Sequence, residues 1–364
     1  MKLVPLVVLS MMVSGSLAAQ DVKIEGTIKQ VVKLPVVRSS GTNASMAATE
    51  VFKEIKLLNI QLSAKAKKTL SRRAKDALAH SSQFAANTPN TTAVTLPKKV
   101  ELGMNEVPVL EQGMHGTCVT FANTAAIDAL LNKGDYISQL CQLELGNYLE
   151  KTGYTLSGWD GSWGRMVLNQ MDVFGIVTKK HQQTRGCAGL TEYPGEDMAA
   201  PEAAMTPDDY YQVSKRLNER VIWSQILDPY EARSDRVDTN KTVNEVKAAL
   251  AAGDRLTFGV LLIDFDLGFA GAVGTHKVTT DTWILTPEIA RDVYLRSKFG
   301  GHEMIITGYD DKAIAIDDEG REHRGLFTLR NSWGDKVGDR GDFYMSYDYF
   351  KLLVNEVQRI RRVV

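Results

Sequence analysis

The chain has 364 residues, a hydrophobic content of 44% and a formal net charge of -1. This composition predicts a folded protein with one large or two modest cores, and it excludes a disordered chain and a general nucleic-acid binder. The charge is uneven, since residues 20–100 hold 14 Lys and Arg against 5 Asp and Glu, and the rest of the chain is net negative. We expect the basic region and the acidic body to attract each other.

Residues 1–19 have the pattern of a signal peptide, with Lys2, an apolar run from Leu3 and small residues up to Ala19. The alternative, an uncleaved membrane anchor, requires a longer apolar span than this one. No later segment is long and apolar enough to cross a bilayer, so we expect no stable membrane insertion. The sequence therefore predicts an exported protein, secreted or periplasmic.

Residues 20–95 form a basic N-terminal extension. Val51, Ile55, Leu58 and Leu62 recur at helical spacing, and a run of lysines and arginines follows from residue 65 to residue 75. The pattern predicts a helix whose charged residues form a solvated face.

The segment QGMHGTCVTFANTAAID, residues 112–128, predicts a tight glycine-containing loop followed by a helix. The helix begins near Cys118, and Gly134 is expected to end it. Its buried face is predicted from four residues at helical spacing: Val119, Ala122, Ala126 and Ala129. Because the N-terminus of a helix favours an anion, the Cys118 thiol is expected to deprotonate more easily and to be a better nucleophile.

Helices are then predicted at residues 137–149, 207–220 and 243–250, and the apolar run at residues 256–263 predicts a buried strand. The chain has 3 cysteines. If Cys118 stays free, Cys141 and Cys187 either form a disulfide or remain two buried thiols, and the sequence leaves both open.

Two further motifs lie near the C-terminus. Gly300 and Gly301 precede His302 and Glu303 at the start of an apolar strand, and the glycines leave the backbone open to close approach. A second strand ends in the sequence NSWG, in which Asn331 is followed by Ser332 and Trp333.

These three motifs, in this order, resemble those of the papain-like cysteine peptidases. The resemblance implies an α+β, two-lobed fold over residues 96–364, with a helical lobe, an antiparallel β-barrel-like lobe and an active-site cleft between them. It implies that Cys118 is the nucleophile, His302 the base, Asn331 the residue that orients the histidine, and Gln112 an oxyanion donor. It implies neither a cofactor nor a metal.

The resemblance also assigns substrate binding to residues that would line the cleft: Gly161, Ser162, Gly301 and Glu303. Glu303 replaces a small residue of the family. It either lines the pocket for the second residue before the scissile bond, favouring a basic side chain there, or turns away into a hydrogen-bonded position. Both interpretations remain open.

Other departures concern packing near the nucleophile. Val119 and Val337 replace tryptophans, and His115 and Trp159 occupy positions that the family bridges with a disulfide. We interpret His115 as a structural residue that packs on the indole.

The sequence thus predicts an exported thiol protease that acts on proteins or peptides, made as a zymogen if residues 20–95 are an intramolecular inhibitory prosegment. The alternative is a papain-like binding or host-interaction module that has lost turnover. The sequence does not show the natural substrate, or whether cleavage is internal or terminal.

Overall fold

A computed structural model describes residues 21–34, 52–79, 96–195, 198–217, 220–263, 269–270, 281–296 and 298–363. The predicted signal peptide, residues 1–19, lies outside the described residues. No helix in the described part combines the length and the apolar character that a membrane span requires.

Most of the helices lie in the first part of the chain and most of the strands in the second. The helices are α1 (Ala64–Ala79), α2 (Cys118–Leu131), α3 (Gln139–Lys151), α4 (Gly164–Phe174), α5 (Lys179–Arg185), α6 (Pro207–Val213), α7 (Thr239–Ala251), α8 (Pro287–Leu295) and α9 (Tyr347–Leu353). The strands are β1 (Val22–Lys33), β2 (Phe52–Leu62), β3 (Lys99–Glu101), β4 (Val221–Leu227), β5 (Arg255–Leu262), β6 (Phe269–Ala270), β7 (Thr282–Trp283), β8 (Lys298–Ile316), β9 (Glu322–Arg330), β10 (Asp342–Ser346) and β11 (Val354–Arg362).

Helix α2 is the centre of the helical part. Every residue from Cys118 to Ala129 is buried, which explains why small and apolar residues fill it on all sides. The predicted start near Cys118 agrees with the structure. The helix ends at Leu131, earlier than expected, because Asn132 already takes the left-handed conformation that terminates it, with a φ of 55°.

The strands form one extended sheet in the order β4-β11-β5-β8-β9-β10-β7-β6, with β2 and β3 also paired to β8. The pairings are antiparallel except that of β10 with β7. The predicted α+β class is confirmed. The barrel-like lobe was wrong in one respect, since the sheet is open, with β4 and β6 at its two ends and no pairing between them among the described strands.

The N-terminal extension differs from its prediction. Residues 52–62 form strand β2, not a helix, and β2 pairs with β1 and with β8. The cause is the tertiary structure. Four consecutive residues, 57–60, are buried because both faces of the strand are covered. A short buried segment of this kind is compatible with a helix or a strand when only the sequence is considered. We call the β1–β2 hairpin and α1 together the arm.

The arm also makes the predicted contacts between basic and acidic groups. Arg72 of α1 pairs with Asp235 of the body at 2.6 Å, and Lys53 of β2 pairs with Glu111. The Arg72 pair is more than half exposed, so it contributes little to stability by itself. Apolar burial of the arm against the body, including Leu57, Ile60 and Leu70, supplies the larger attraction.

A second, smaller core lies under α3. Cys141 of α3 is joined there to Cys187 by a disulfide, and Cys118 is the free cysteine. Of the two alternatives left open by the sequence, the structure has the disulfide.

Candidate active site

His302 is held from two sides. It lies on β8, and its Nε2 is 2.7 Å from Oδ1 of Asn331, which directly follows β9. The imidazole stacks on the Trp333 indole, with ring centroids 4.4 Å apart. All three residues are buried, so the histidine–asparagine contact is shielded from water.

The hydrogen bonds fix the protonation of this imidazole. The backbone N–H of Ser332 donates to Oδ1 of Asn331 at 2.7 Å, which identifies that atom as the amide oxygen. An amide oxygen only accepts, so Nε2 of His302 carries the hydrogen and Nδ1 carries the lone pair. Nδ1 is buried and has no hydrogen-bond partner among the described residues. It is therefore an unused proton acceptor.

Cys118 begins helix α2. The backbone amide of Glu303, the residue after His302, lowers the pKa of the Cys118 thiol, as do the amides of Val119 and of Cys118 itself. The residue is fully buried. The helix N-terminus thus brings the sulfur to the start of β8, where His302 lies.

Burial makes both groups neutral in this structure. It raises the pKa of the Cys118 thiol to about 12, with a further contribution from the Glu303 carboxylate. It lowers the pKa of His302 to about 4, although the bond to Asn331 acts in the opposite direction. The expected lowering of the thiol pKa by the helix N-terminus was wrong for this form, because desolvation outweighs the nearby backbone amides.

Gln112 is buried in the loop that precedes Cys118. Its Oε1 accepts a hydrogen bond from Ser332 Oγ at 2.7 Å, and its Nε2 donates to the carbonyl of His115 at 2.9 Å. Its backbone N–H donates to the carbonyl of Ser332 at 2.9 Å. The second N–H of the side-chain amide has no partner among the described residues.

Three of the predicted substrate-binding residues lie under the arm. Gly161, with a φ of +117°, faces Leu58 and Ile24, and a Cβ there would lie 2.8 Å from the Leu58 side chain. Gly301 pairs with Leu58 in the sheet, and Ser162 is buried beside Gly161. Residues 160–163 belong to none of the strands of the structure.

Glu303 lies in a buried polar cluster. Its Oε1 accepts from Asn123 of α2 at 2.6 Å, and the carboxyl lies close to that of Glu356. Burial and the neighbouring Glu356 raise the pKa of Glu303 well above its usual value. Of the two interpretations of Glu303, this is the hydrogen-bonded one.

His115 packs as an aromatic residue. Its ring meets the Trp159 indole edge to face at 5.2 Å, and Tyr193 contacts both rings. His115 and Trp159 thus pack against each other at the two positions that a disulfide joins in the papain-like family. Among the described residues, His115 makes no hydrogen bond to Cys118 or to His302.

Sequence reasoning missed three residues around the site. Ser332 orients the Gln112 amide through its hydroxyl. Its position between Asn331 and Trp333 in the sequence could have indicated that it lies at the site. Lys53 of the arm donates to the carbonyl of Trp333 at 3.1 Å and pairs with Glu111. Tyr193 donates to the carbonyl of Gln112 at 3.0 Å. Nothing in the local sequence around Lys53 or Tyr193 pointed to these contacts.

A groove of about 850 Å³ remains open beside the site. It lies between the arm and the body and is lined on one side by Phe52 and Lys53 and on the other by Glu111, Met114 and Trp333. The arm therefore covers Gly161 and Gly301 but leaves space next to the indole. Within the described residues, no group of three or more His, Cys, Asp or Glu side chains is arranged to hold a metal ion.

Comparison with known families gives one match, to the Peptidase C1-like family, over residues 286–362. This segment contains His302, Asn331 and Trp333. The match agrees with the predicted resemblance to the papain-like cysteine peptidases over this segment, which does not include Cys118. No curated protein matches the chain significantly.

Solved structures of cysteine proteases resemble the chain at low identity. Xylellain, a cysteine protease from Xylella fastidiosa, is 22% identical, with 74% of this chain and 88% of that one covered and a TM-score of 0.44. The ragweed pollen allergen Amb a 11 cysteine protease in its proform is 14% identical, with 80% and 75% covered and a TM-score of 0.42. Digestive procathepsin L 3 of the Tenebrio molitor larval midgut is 13% identical, with 82% and 91% covered and a TM-score of 0.43.

Proposed function

We propose that this protein is a cysteine peptidase that hydrolyses peptide bonds, with Cys118 as nucleophile and His302 as general base and acid. The observation that carries the proposal is the His302–Asn331 bond at 2.7 Å under the Trp333 indole, which leaves Nδ1 of His302 without a hydrogen-bond partner among the described residues. Such a base, oriented by a third group, is the arrangement that activates a thiol.

In the proposed reaction, Nδ1 of His302 takes the Cys118 proton and the thiolate attacks the carbonyl carbon of a peptide bond. The resulting oxyanion is bound by the free N–H of Gln112 and the backbone N–H of Cys118. The imidazolium returns its proton to the leaving amine as the C–N bond breaks, which leaves a thioester on Cys118. Water, deprotonated by His302, then hydrolyses the thioester and regenerates the thiol.

The arm supports the further proposal that the chain is made as a latent precursor. The side chain of Thr27 packs against Gly116, two residues before the nucleophile, so that a Cβ on Gly116 would lie 2.6 Å from it. Leu58 and Ile24 fill the space over Gly161, and β2 occupies the edge of β8 at Gly301. A substrate backbone would need the same positions, so residues 20–95 act as an inhibitory prosegment.

Residues 1–19 are proposed to direct export, which makes the protein secreted or periplasmic. N-terminal sequencing of the exported protein should find a start after Ala19 or at a later site in the precursor. A protein found only inside the cell with Met1 retained would contradict export.

Peptide-library digestion by the full chain tests the peptidase activity. Once the arm has been displaced or removed, we expect cleavage of peptides by the wild type, labelling of Cys118 by an epoxide inhibitor of cysteine peptidases, and neither in Cys118→Ala. Folding of the variant is checked by its near-UV circular dichroism. A protein that is labelled but never cleaves, even after the arm is displaced, would instead be the binding module that has lost turnover.

A further inference from the structure

The loop between Gln112 and Cys118 carries both proposed oxyanion donors, so its shape decides whether the two N–H groups converge. The loop contains Gly113, with a φ of +58°, and Gly116, so its backbone is conformationally free unless other groups hold it. A displacement of about 1 Å at such a site reduces turnover by roughly a hundredfold. The groups that hold this loop therefore matter for catalysis.

Tyr193 contacts both ends of the loop with one oxygen. Its hydroxyl donates to the carbonyl of Gln112 at 3.0 Å, and it lies 2.9 Å from the hydroxyl of Thr117. Because the single hydrogen of Tyr193 is used on the Gln112 carbonyl, the Thr117 hydroxyl must be the donor in the second bond. Thr117 precedes α2 without capping it through its side chain, so its hydroxyl is available for this contact.

The ring of Tyr193 is fixed by aromatic neighbours. It stacks on Trp159 with centroids 5.7 Å apart and an interplanar angle of 20°, and it meets Phe121 of α2 edge to face at 5.1 Å. His115, in the middle of the loop, packs against it edge to face at 5.7 Å. The ring is therefore a rigid support that also contacts the loop itself.

The backbone that carries Tyr193 is anchored in the helical part. Its segment starts at Cys187, which is disulfide-bonded to Cys141 of α3. The backbone of Cys187 pairs with Leu190 in both directions, and the carbonyl of Thr191 accepts from the side chain of Gln182 at 3.1 Å. The disulfide and these bonds hold the segment in place only a few residues before the tyrosine.

We propose that Tyr193 is a positioning residue for the oxyanion-binding loop: its hydroxyl ties Gln112 to Thr117 and so holds the Gln112 amide and the Cys118 N–H in register. This inference rests on the proposed peptidase function. It assigns a role to a segment outside the three motifs, and Tyr193 acts through Gln112 without contacting substrate.

The test compares Tyr193→Phe with Tyr210→Phe. Tyr210 is a buried tyrosine of the same small core, and its hydroxyl also makes two hydrogen bonds, with Gln142 at 2.5 Å and Gly175 at 3.2 Å, but it does not contact the loop. We expect Tyr193→Phe to lower kcat roughly tenfold with KM unchanged, a part of the roughly hundredfold loss for a whole oxyanion donor. Tyr210→Phe should leave kcat unchanged.

A double variant shows whether the effect passes through Gln112. If it does, Gln112→Ala combined with Tyr193→Phe loses less turnover than the two single losses added together, because one of the two donors that Tyr193 positions is already absent. Additive losses would overturn the proposal.

Hydrogen exchange of residues 112–118 in the full chain gives a readout that needs no activity. We expect faster exchange of this loop in Tyr193→Phe and not in Tyr210→Phe. Unchanged exchange in Tyr193→Phe would show that Tyr193 does not hold the loop. Faster exchange with an unchanged kcat would show that the order of the loop does not affect catalysis. Either result would overturn the inference. A wild type that holds its loop through Tyr193 but cleaves no peptide would contradict the proposed function instead.

Discussion

The side-chain amide of Gln112 is oriented by Ser332 and His115, which leaves one N–H for a developing oxyanion. We expect Gln112→Ala to lower kcat on the order of a hundredfold, because one oxyanion donor is lost while the nucleophile and base remain. Alkylation of Cys118 by iodoacetamide forms no oxyanion, so its rate should be unchanged.

Gln142→Ala is the matched control for that substitution. Gln142 is also a buried glutamine whose amide is hydrogen-bonded at both ends, to Gln170 and to Gly175, but it lies in the core under α3. A loss of turnover shared by both variants would point to general destabilisation. An equal loss in alkylation and turnover for Gln112→Ala would remove Gln112 from the oxyanion role.

The Glu303 carboxyl influences the nucleophile through charge. Its ionised form raises the pKa of the Cys118 thiol, and burial raises the pKa of Glu303 itself, so the effect is present only where Glu303 is ionised. Glu303→Gln should therefore lower the thiol pKa and shift the pH profile of Cys118 alkylation to lower pH. Cys118 is the free cysteine, so alkylation reports on it directly.

Glu144→Gln serves as the control for Glu303→Gln. Glu144 is likewise a buried glutamate with a raised pKa, and the thiol pKa contains no contribution from it. Its substitution should leave the alkylation profile unchanged. Profiles that coincide for Glu303→Gln and the wild type would rule out the electrostatic effect of Glu303.

The helices and strands that the sequence predicted correctly are those whose residues follow a clear local pattern of apolar and polar positions. Helix α2 has a glycine-containing loop before it and small residues throughout, and the strand at β5 is a continuous apolar run, so both were found close to their observed bounds. His302 and Asn331 could be paired because the family motifs identify them.

Strand β2 could not be predicted, because its conformation depends on partners that are distant in sequence. Its spacing of apolar residues fits a helix, but pairing with β1 and with Gly301 of β8 selects a strand. The contacts of Tyr193 were hidden for the same reason, since 81 residues separate it from Gln112. The neutral states of Cys118 and His302 could not be predicted either, because the pKa values of both groups depend on their burial in the folded chain.

The arm can be displaced by changing one of its buried side chains. Leu58 lies against Gly161 and Gly301, so Leu58→Asp buries a charge at the cleft and should release the hairpin. We expect faster alkylation of Cys118 and higher peptidase activity in the uncleaved chain. The assay is the alkylation rate, with the chain length confirmed by mass spectrometry.

Val31→Asp is the control on the same hairpin. Val31 lies on β1 and is 51% exposed, so a charge there leaves the contact with the body intact. Activation by both substitutions would indicate general loosening of the arm, and activation by neither would contradict its inhibitory role.

For the whole molecule, several buried carboxyls make stability depend on pH. Burial raises the pKa of Asp128 to about 7, that of Glu356 to about 7 and that of Glu144 to about 8. A carboxyl that binds its proton more tightly in the folded state stabilises the fold fully below its unfolded pKa, and this stabilisation is lost as the pH rises to the folded pKa. The loss amounts to about 1.4 kcal/mol per group and pH unit in that interval.

His302 acts in the opposite direction at lower pH. Its pKa is lowered to about 4, so the fold loses stability from this group as the pH falls from about 6.5 towards 4. Between about pH 6.5 and 8 the buried carboxyls therefore act without this opposing contribution. We expect the melting temperature of the full chain to fall across that interval, more steeply below about pH 7 than above it, because only Glu144 still contributes up to about pH 8.

Glu144→Gln should flatten this decline, because both carboxylate oxygens of Glu144 are buried without a hydrogen-bond partner among the described residues and its pKa is raised furthest of the three. Glu150→Gln, an exposed position on the same helix α3, should leave the decline as it is. Melting temperatures by differential scanning calorimetry from pH 5 to 9 decide the matter. Equal slopes for the wild type and Glu144→Gln would mean that Glu144 is solvated or paired in solution, and the pH dependence of stability would then come from the other buried carboxyls, such as Asp128 and Glu356.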